Sequence, residues 1–396
     1  MQALIHTSGY ILSFIFVFTL IVFVHEMGHF LAARALGAKV EVFSIGFGKR
    51  LFQRTDRYGT LWQVSLFPIG GFVKFLGDAN AASTPDKDAI KAAERAPGEA
   101  GGMFHLLPVW RRSIIVAAGP LMNFFYAIIV FAALLMALGS TSVPARVDSV
   151  ESGSPAQAAG FMPGDVLVAA DGRKINTFSD VAEIVAIAAN TPIKFVVRRG
   201  DKDVKLVATP ELIEKKDPLG KTMRIGYLGI SADARVLQHR RYGPVAAIVA
   251  GSRRTWNSIS DQLKFMGRLV RGRGSVDLLG GPLRIFAYTG AVGTAPAVDA
   301  PSLPASLGMR MLGLISLSAM LSVAIGLVNL LPVPVLDGGH LLYYAFEAVA
   351  GRPLNERVQL VGFRVGLALI LSLMVFATLN DLRYFGLFER IGQLFS

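Results

Sequence analysis

Residues 25–29 read His25-Glu26-Met27-Gly28-His29, and they close the apolar run at residues 10–24 (YILSFIFVFTLIVFV) without a break. The motif continues that run, and the stretch from about residue 9 to 32 is long and apolar enough to be a membrane-spanning helix. On a helix, positions i and i+4 share a face. His25 and His29 therefore present two imidazoles side by side, a pair suited to zinc, with Glu26 next to them to take a proton from a water molecule. Ionisable groups at bilayer depth are costly and mark function. The plainer reading is a buried His/Glu pair that packs a helix bundle. Zinc needs more than two protein ligands, so the motif predicts a third elsewhere in the chain.

The composition narrows the field. Of 396 residues, 53% are hydrophobic and 17% charged, which describes a membrane protein with soluble parts rather than one soluble domain. Cysteine is absent, so disulfides and thiolate-bound zinc are excluded and a metal must use histidine and carboxylate. The net charge of +12 is spread over membrane-flanking loops and a soluble module. That distribution points to a lipid bilayer as the partner and not to nucleic acid.

Four stretches are long and apolar enough to span: 9–32, 113–138, 309–333 and 360–379. They divide the chain into a first span with the motif (1–34), a loop holding a hairpin-like segment (35–112), a second span (113–139), a soluble α+β module (140–232), an amphipathic stretch (233–307), a third span ending in Leu-Asp-Gly-Gly (308–340), a loop (341–359), a fourth span (360–379) and a tail (380–396). The first span has no basic segment before it and contains the motif, so it is expected to stay in the mature protein. Arg34, Lys39, Lys49 and Arg50 follow it, and Arg111 and Arg112 precede the second span. The positive-inside rule then places 34–112 in the cytoplasm, with both termini and the soluble module outside.

Residues 58–76 alternate and are rich in aromatic and β-branched types, broken by Pro68 and Gly70-Gly71, which predicts short kinked strands. Residues 78–102 are small, charged and Pro/Gly-rich, and read as a flexible loop. IKFVVRRGDKDVKLVAT predicts a hairpin turning at Arg199-Gly200-Asp201. Between 241 and 307, Trp256, Ile259, Leu263, Met266 and Val270 fall at helix spacing among five basic residues. This suits a helix on the membrane surface or one packed on the soluble module. Gly280-Gly281-Pro282 breaks any helix there.

Asn329-Leu330-Leu331-Pro332-Val333-Pro334-Val335-Leu336-Asp337-Gly338-Gly339-His340 closes the third span. Two prolines end a helix and free backbone groups, and irregular backbone at membrane depth is tolerated only against protein or water. By the topology above, Asp337 lies at the same depth as the two imidazoles. A site of two histidines and one carboxylate with an open position follows. His340 is a rival ligand, and an N-cap role is the rival for Asp337.

HEMGH, FSIGFGK (43–49), PIGGFVK (68–74), AAGPLMNF (117–124), and NLLPVPVLDGGH together resemble the site-2 protease family of intramembrane zinc proteases, and most of all its bacterial regulator-of-sigma-E protease group. The order SPAQAAGFMPGDVLVAADGRKI resembles a bacterial-type PDZ domain, and Tyr227-Leu228-Gly229-Ile230 resembles the loop in which such domains hold a peptide terminus. Many members of the group carry two PDZ domains; one is evident here. The resemblance implies a polytopic α-helical membrane protein of four spans, a small membrane-associated β-element and one extracytoplasmic PDZ-like domain. It implies Zn2+ on His25, His29 and Asp337, Glu26 as general base, and Asn329 and Asn123 near the site as substrate-positioning residues. Gly70 and Gly71 would let an unwound substrate approach the strand-like segment. The implied setting is the bacterial inner membrane, with the active site near its cytoplasmic face. The implied partners are single-span membrane-anchored substrates of the anti-sigma-factor type, remnant signal peptides, and an upstream protease that trims the same substrate. The alternative is a PDZ-bearing membrane scaffold with a structural zinc site, although structural sites are usually closed by four ligands.

Overall fold

A computed structural model describes residues 2–80, 86–95, 101–217, 219–233, 235–272, 276–295 and 302–387. Along the chain run helix α1 (Gln2–Ala35), strands β1 (Val40–Thr55) and β2 (Leu61–Phe75), and helices α2 (Lys87–Arg95) and α3 (Val109–Leu138). The module follows with β3 (Ser140–Ser142), β4 (Ser149–Val150), α4 (Pro155–Ala158), β5 (Val166–Ala170), β6 (Arg173–Lys174), α5 (Phe178–Ala186), β7 (Ile193–Arg199), β8 (Lys202–Ala208), β9 (Glu211–Lys216), β10 (Thr222–Tyr227), β11 (Ile230–Ser231) and β12 (Gln238–Arg240). Helices α6 (Pro244–Val270), α7 (Pro282–Thr294), α8 (Leu303–Asn329), α9 (Asp337–Ala350) and α10 (Glu356–Tyr384) complete it. Four of the helices are long and apolar enough to cross a membrane: Thr7–Ala35, Val109–Leu138, Pro304–Asn329 and Glu356–Tyr384. Each of the four expected spans is found. The third stops at Asn329 rather than at 333, because the Pro332 and Pro334 rings cannot continue a helix.

The chain divides into two compact units. The first comprises residues 1–131, 251–255 and 286–373. Its β1 and β2 pair antiparallel, and Ser44 is flanked on both sides, by Phe72 and by Gln63. The distal ends pair separately, Thr55 with Leu61. Asp56 ties the turn between them. Its carboxylate accepts from the Tyr58 and Thr60 backbone N–H groups and from Trp62 Nε1, and it pairs with Arg34 at the end of α1. Burial acts to raise the Asp56 carboxyl, but the bonds from Trp62, Arg34 and the two N–H groups outweigh it and hold it down to about 2. Phe30, Phe43, Val73, Phe75, Phe104, Ile115 and Val116 form the core under this hairpin.

The second unit comprises residues 132–250, 256–285 and 374–396. Its sheet has the order β6-β5-β7-β8. Ile193, Phe195 and Val197 on β7 are buried at the period of two that a strand with one covered face requires. Val181, Ile184 and Val185 turn one face of α5 into the same core, and Thr177 with Asp180 forms a capping box at its start. The expected hairpin turn at Arg199-Gly200-Asp201 is present, with Arg199 opposite Lys202. Arg173 bonds Asp261 at 2.5 Å, and Arg268 donates to the Ile187 carbonyl at 2.9 Å. Of the two expectations for 241–307, packing of α6 on the module is the one these contacts bear out.

Four expectations need correction. Residues 40–55 form a full strand that the alternation at 58–76 did not announce. The loop expected at 78–102 contains α2, started by Asp86, whose Oδ1 accepts from the Ala89 N–H; 81–85 and 96–100 lie outside the described residues. The loop expected at 341–359 carries most of α9, and the tail expected from 380 begins inside α10, with 388–396 outside the described residues. The break expected at Gly280-Gly281-Pro282 is found: α6 ends at Val270, and Pro282 opens α7, where its missing N–H has no intrahelical acceptor to lose.

Candidate metal centre

His25 and His29 project from one face of α1, one turn apart, with their rings nearly perpendicular at a centroid distance of 4.9 Å. Their Nε2 atoms stand 3.3 Å apart. Asp337, the first residue of α9, brings Oδ2 to 3.1 Å from His25 Nε2 and 3.5 Å from His29 Nε2. The N-cap of α9 is Leu336 and no side chain caps it, so the Asp337 carboxylate serves the cluster and not the helix start.

The local sequence explains why these atoms meet. Pro332 and Pro334 end α8 and turn the chain into α9. Gly338 and Gly339 follow because nothing larger fits: a Cβ at 338 would lie 2.2 Å from the Leu331 carbonyl oxygen, and one at 339 would lie 2.4 Å from that of Val333. Two further glycines set α1 against α3. A Cβ on Gly28 would meet the Ala118 carbonyl oxygen at 2.3 Å, and a Cβ on Gly119 would meet His29 Nε2 at 2.3 Å. His29 fits only because position 119 has no side chain. Its Nδ1 donates to the Ile115 carbonyl at 2.9 Å, which leaves the lone pair on Nε2 facing the cluster.

The donor set fits zinc. Ligand atoms about 2.0–2.2 Å from a tetrahedral zinc lie about 3.3–3.6 Å from one another. The three donors here, at 3.1, 3.3 and 3.5 Å, approximate one face of such a tetrahedron. Asp337 Oδ2 is buried without a hydrogen bond of good geometry, although two imidazole nitrogens stand beside it. A buried carboxylate oxygen of that kind is what a cation satisfies. Among the described residues, His25, His29 and Asp337 form the group able to hold a metal; His340 is not part of it.

A cavity of about 240 Å³ opens on the cluster. Glu26, Gly71, Phe72, Val73, His340 and Tyr344 line it with the three donors. Gly71 lets β2 come close: a Cβ there would meet the Ser44 carbonyl oxygen at 2.7 Å and Glu26 Cγ at 3.2 Å. Gly70 has φ +109 and packs against the Phe47 ring, so it shapes the bend in β2 and is not among the lining residues. Asn329 ends α8, half-buried and outside the lining. Asn123 is fully buried and faces His25 Nδ1 at 3.1 Å instead of the cavity. Sequence reasoning missed Gly119 and Tyr344. The trace of Gly119 in the sequence was a Gly-Pro pair inside an apolar span, within the AAGPLMNF stretch that carries part of the resemblance.

In the module, Tyr227 ends β10 and Ile230 opens β11, with Leu228 buried and Gly229 at φ +80. The Leu228 and Gly229 carbonyls accept from Ala156 and Glu151 N–H.

Two histidines and a glutamate within one apolar span, joined by a carboxylate just beyond the end of another, define the class, a membrane-embedded metallohydrolase. The family model and the sequence relatives agree. The model of "Peptidase family M50" matches residues 13–373. Metalloprotease MmpA of Caulobacter vibrioides is 43% identical over 392 residues, 98% of each chain. A relative in Agrobacterium fabrum that carries a zinc metalloprotease name is 43% identical over 380 residues, 95% of this chain and 96% of that one. Among solved structures, the PDZ domain of the SdrC-like protein from Listeria monocytogenes matches 23% of this chain and 88% of its own, at 20% identity and a TM-score of 0.18. The chain belongs to peptidase family M50, the site-2 proteases, and is a zinc metalloprotease of the membrane.

Proposed function

We propose that the protein hydrolyses peptide bonds in or near the transmembrane segments of single-span proteins already trimmed by another protease. His25, His29 and Asp337 would hold the zinc, which would supply Lewis acidity toward the scissile carbonyl and the attacking water, and Glu26 is the general base. Glu26 takes the proton of the attacking water as its oxygen bonds to the carbonyl carbon. It then delivers that proton to the departing nitrogen as the C–N bond breaks. The observation that carries this reading is the three-donor triangle sharing one small cavity with Glu26.

A helix keeps its carbonyls in i→i−4 hydrogen bonds, so a transmembrane substrate must unwind locally before attack. Residues 71–73 of β2 line the cavity and pair with β1 along one edge, which supports addition of an unwound substrate strand along the other.

The substrate class is anti-sigma factors and remnant signal peptides, and the setting is the bacterial inner membrane. The distribution of Lys and Arg supports an active site near the cytoplasmic face, with both termini and the PDZ-like module periplasmic. The module acts as a size filter or grips a new C-terminus at residues 227–230. Cleavage of a single-span model substrate by the purified protein in detergent tests the reading. Cleavage blocked by a zinc chelator and restored by zinc is the expected result; chelator-insensitive cleavage, or none with zinc bound, counts against it.

A further inference from the structure

The two imidazoles of the cluster are not supported alike. For Nε2 to offer its lone pair to a metal, the ring proton must sit on Nδ1. His29 meets this requirement, since its Nδ1 faces the Ile115 carbonyl, which can only accept. His25 Nδ1 faces the Asn123 side chain, with Nδ2 placed 3.1 Å away. An amide nitrogen only donates, so a metal-binding His25 in that arrangement would set two N–H groups against each other. Meanwhile Asn123 Oδ1 is buried without a partner. The oxygen and nitrogen of an amide exchange places by a half-turn about the last side-chain bond, and their assignment follows from the hydrogen bonds they make. One amide atom is left unpaired in either orientation. What the orientation decides is the tautomer of His25.

Resting on the zinc-protease reading above, we propose that Asn123 is a positioning residue that turns Oδ1 toward His25. It accepts the Nδ1 proton and thereby fixes both the tautomer and the ring plane that aim Nε2 at the metal. The side chain is fully buried and absent from the cavity lining, so it has no route to substrate. Its place is set by the packing of α3 on α8. Ser322 Oγ donates to the Asn123 backbone carbonyl at 3.2 Å, and a Cβ on Gly326 would lie 3.0 Å from Asn123 Cβ. Carbonyl and carboxylate partners of metal-bound histidines commonly set metal affinity by about 10–100-fold.

Two variants separate an acceptor from a donor. Asn123→Asp keeps the shape and offers oxygen in both orientations. Asn123→Leu keeps most of the volume and offers nothing. Zinc affinity of the full chain in detergent, measured against a graded chelator, is expected to fall about 10–100-fold in Asn123→Leu and to stay within about threefold of wild type in Asn123→Asp. Thermal unfolding of the zinc-free proteins checks that each variant folds. If Asn123→Leu fails to fold, Asn123→Asp alone decides the case, because a donor role predicts that it loses zinc. Loss of zinc in the Asp variant, or unchanged affinity in the Leu variant, overturns the proposal. A wild type that binds zinc and shows the Asp/Leu split but cleaves nothing contradicts the functional reading and supports this one.

Discussion

The metal centre and the module of residues 140–232 treat buried polar groups differently. Two sites in the module satisfy theirs close at hand. Thr177 and Asp180 cap α5 within four residues, and Arg199 bonds both oxygens of the buried Asp165 at 2.8 Å. At the centre, Asp337 Oδ2 and two imidazole nitrogens crowd together from segments more than 300 residues apart, and the oxygen is left without a proper donor. The module spends its polar groups on stability. The centre holds them in reserve for a ligand, and depends on glycines to bring them into reach.

That contrast can be broken at its strongest point. Asp337→Asn is expected to abolish measurable cleavage and lower bound zinc from one equivalent toward none, by metal analysis of the purified protein. An Asn variant with full zinc and full activity would end the distinction. Gly119→Ala sets a methyl group against the His29 ring, with an overpacking cost of about 1–3 kcal/mol. Zinc should be lost here as well, although no ligand is altered. Normal zinc content would show that α3 yields easily.

The turn at Asp56 gives an intermediate case with a pH signature. Its carboxyl ordinarily titrates at 3.8 and is held down to about 2 in the fold. A depressed folded value means that the stabilisation is complete above about 3.8 and is lost as pH falls toward 2. Asp56→Ala should destabilise the hairpin by about 1–3 kcal/mol at neutral pH and flatten the acid sensitivity in that window. Hydrogen exchange across residues 40–75 at pH 7 and pH 3 reads both effects. The smallest change is Thr177→Ala, expected to cost the module about 1 kcal/mol in thermal unfolding and to leave zinc content untouched. Loss of zinc in that variant would contradict the independence of the two regions.

What could be read from the sequence follows the same divide. HEMGH was legible because charge inside an apolar run has few explanations, and Asp337 was legible because two prolines mark where a span must end. Ile193, Phe195 and Val197 announced β7 by alternation. The strand at residues 40–55 escaped because Gly46, Gly48, Lys49 and Arg50 interrupt its pattern, and α2 escaped because its small charged residues look like a loop. Asn123 was placed near the site through the AAGPLMNF resemblance, but neither it nor Gly119 shows in its local pattern what it does there. Their meaning depends on how closely α1 approaches α3, two helices whose contacting residues are some 90 positions apart, and only the fold records that distance.

The central claim is a catalytic zinc in a site assembled from α1 and the start of α9, with Glu26 as its base. Zinc content and cleavage of a single-span substrate, measured on the same preparation of Glu26→Gln, test it most directly. The account predicts one equivalent of zinc and no product. Product formed at a rate near that of wild type would contradict it.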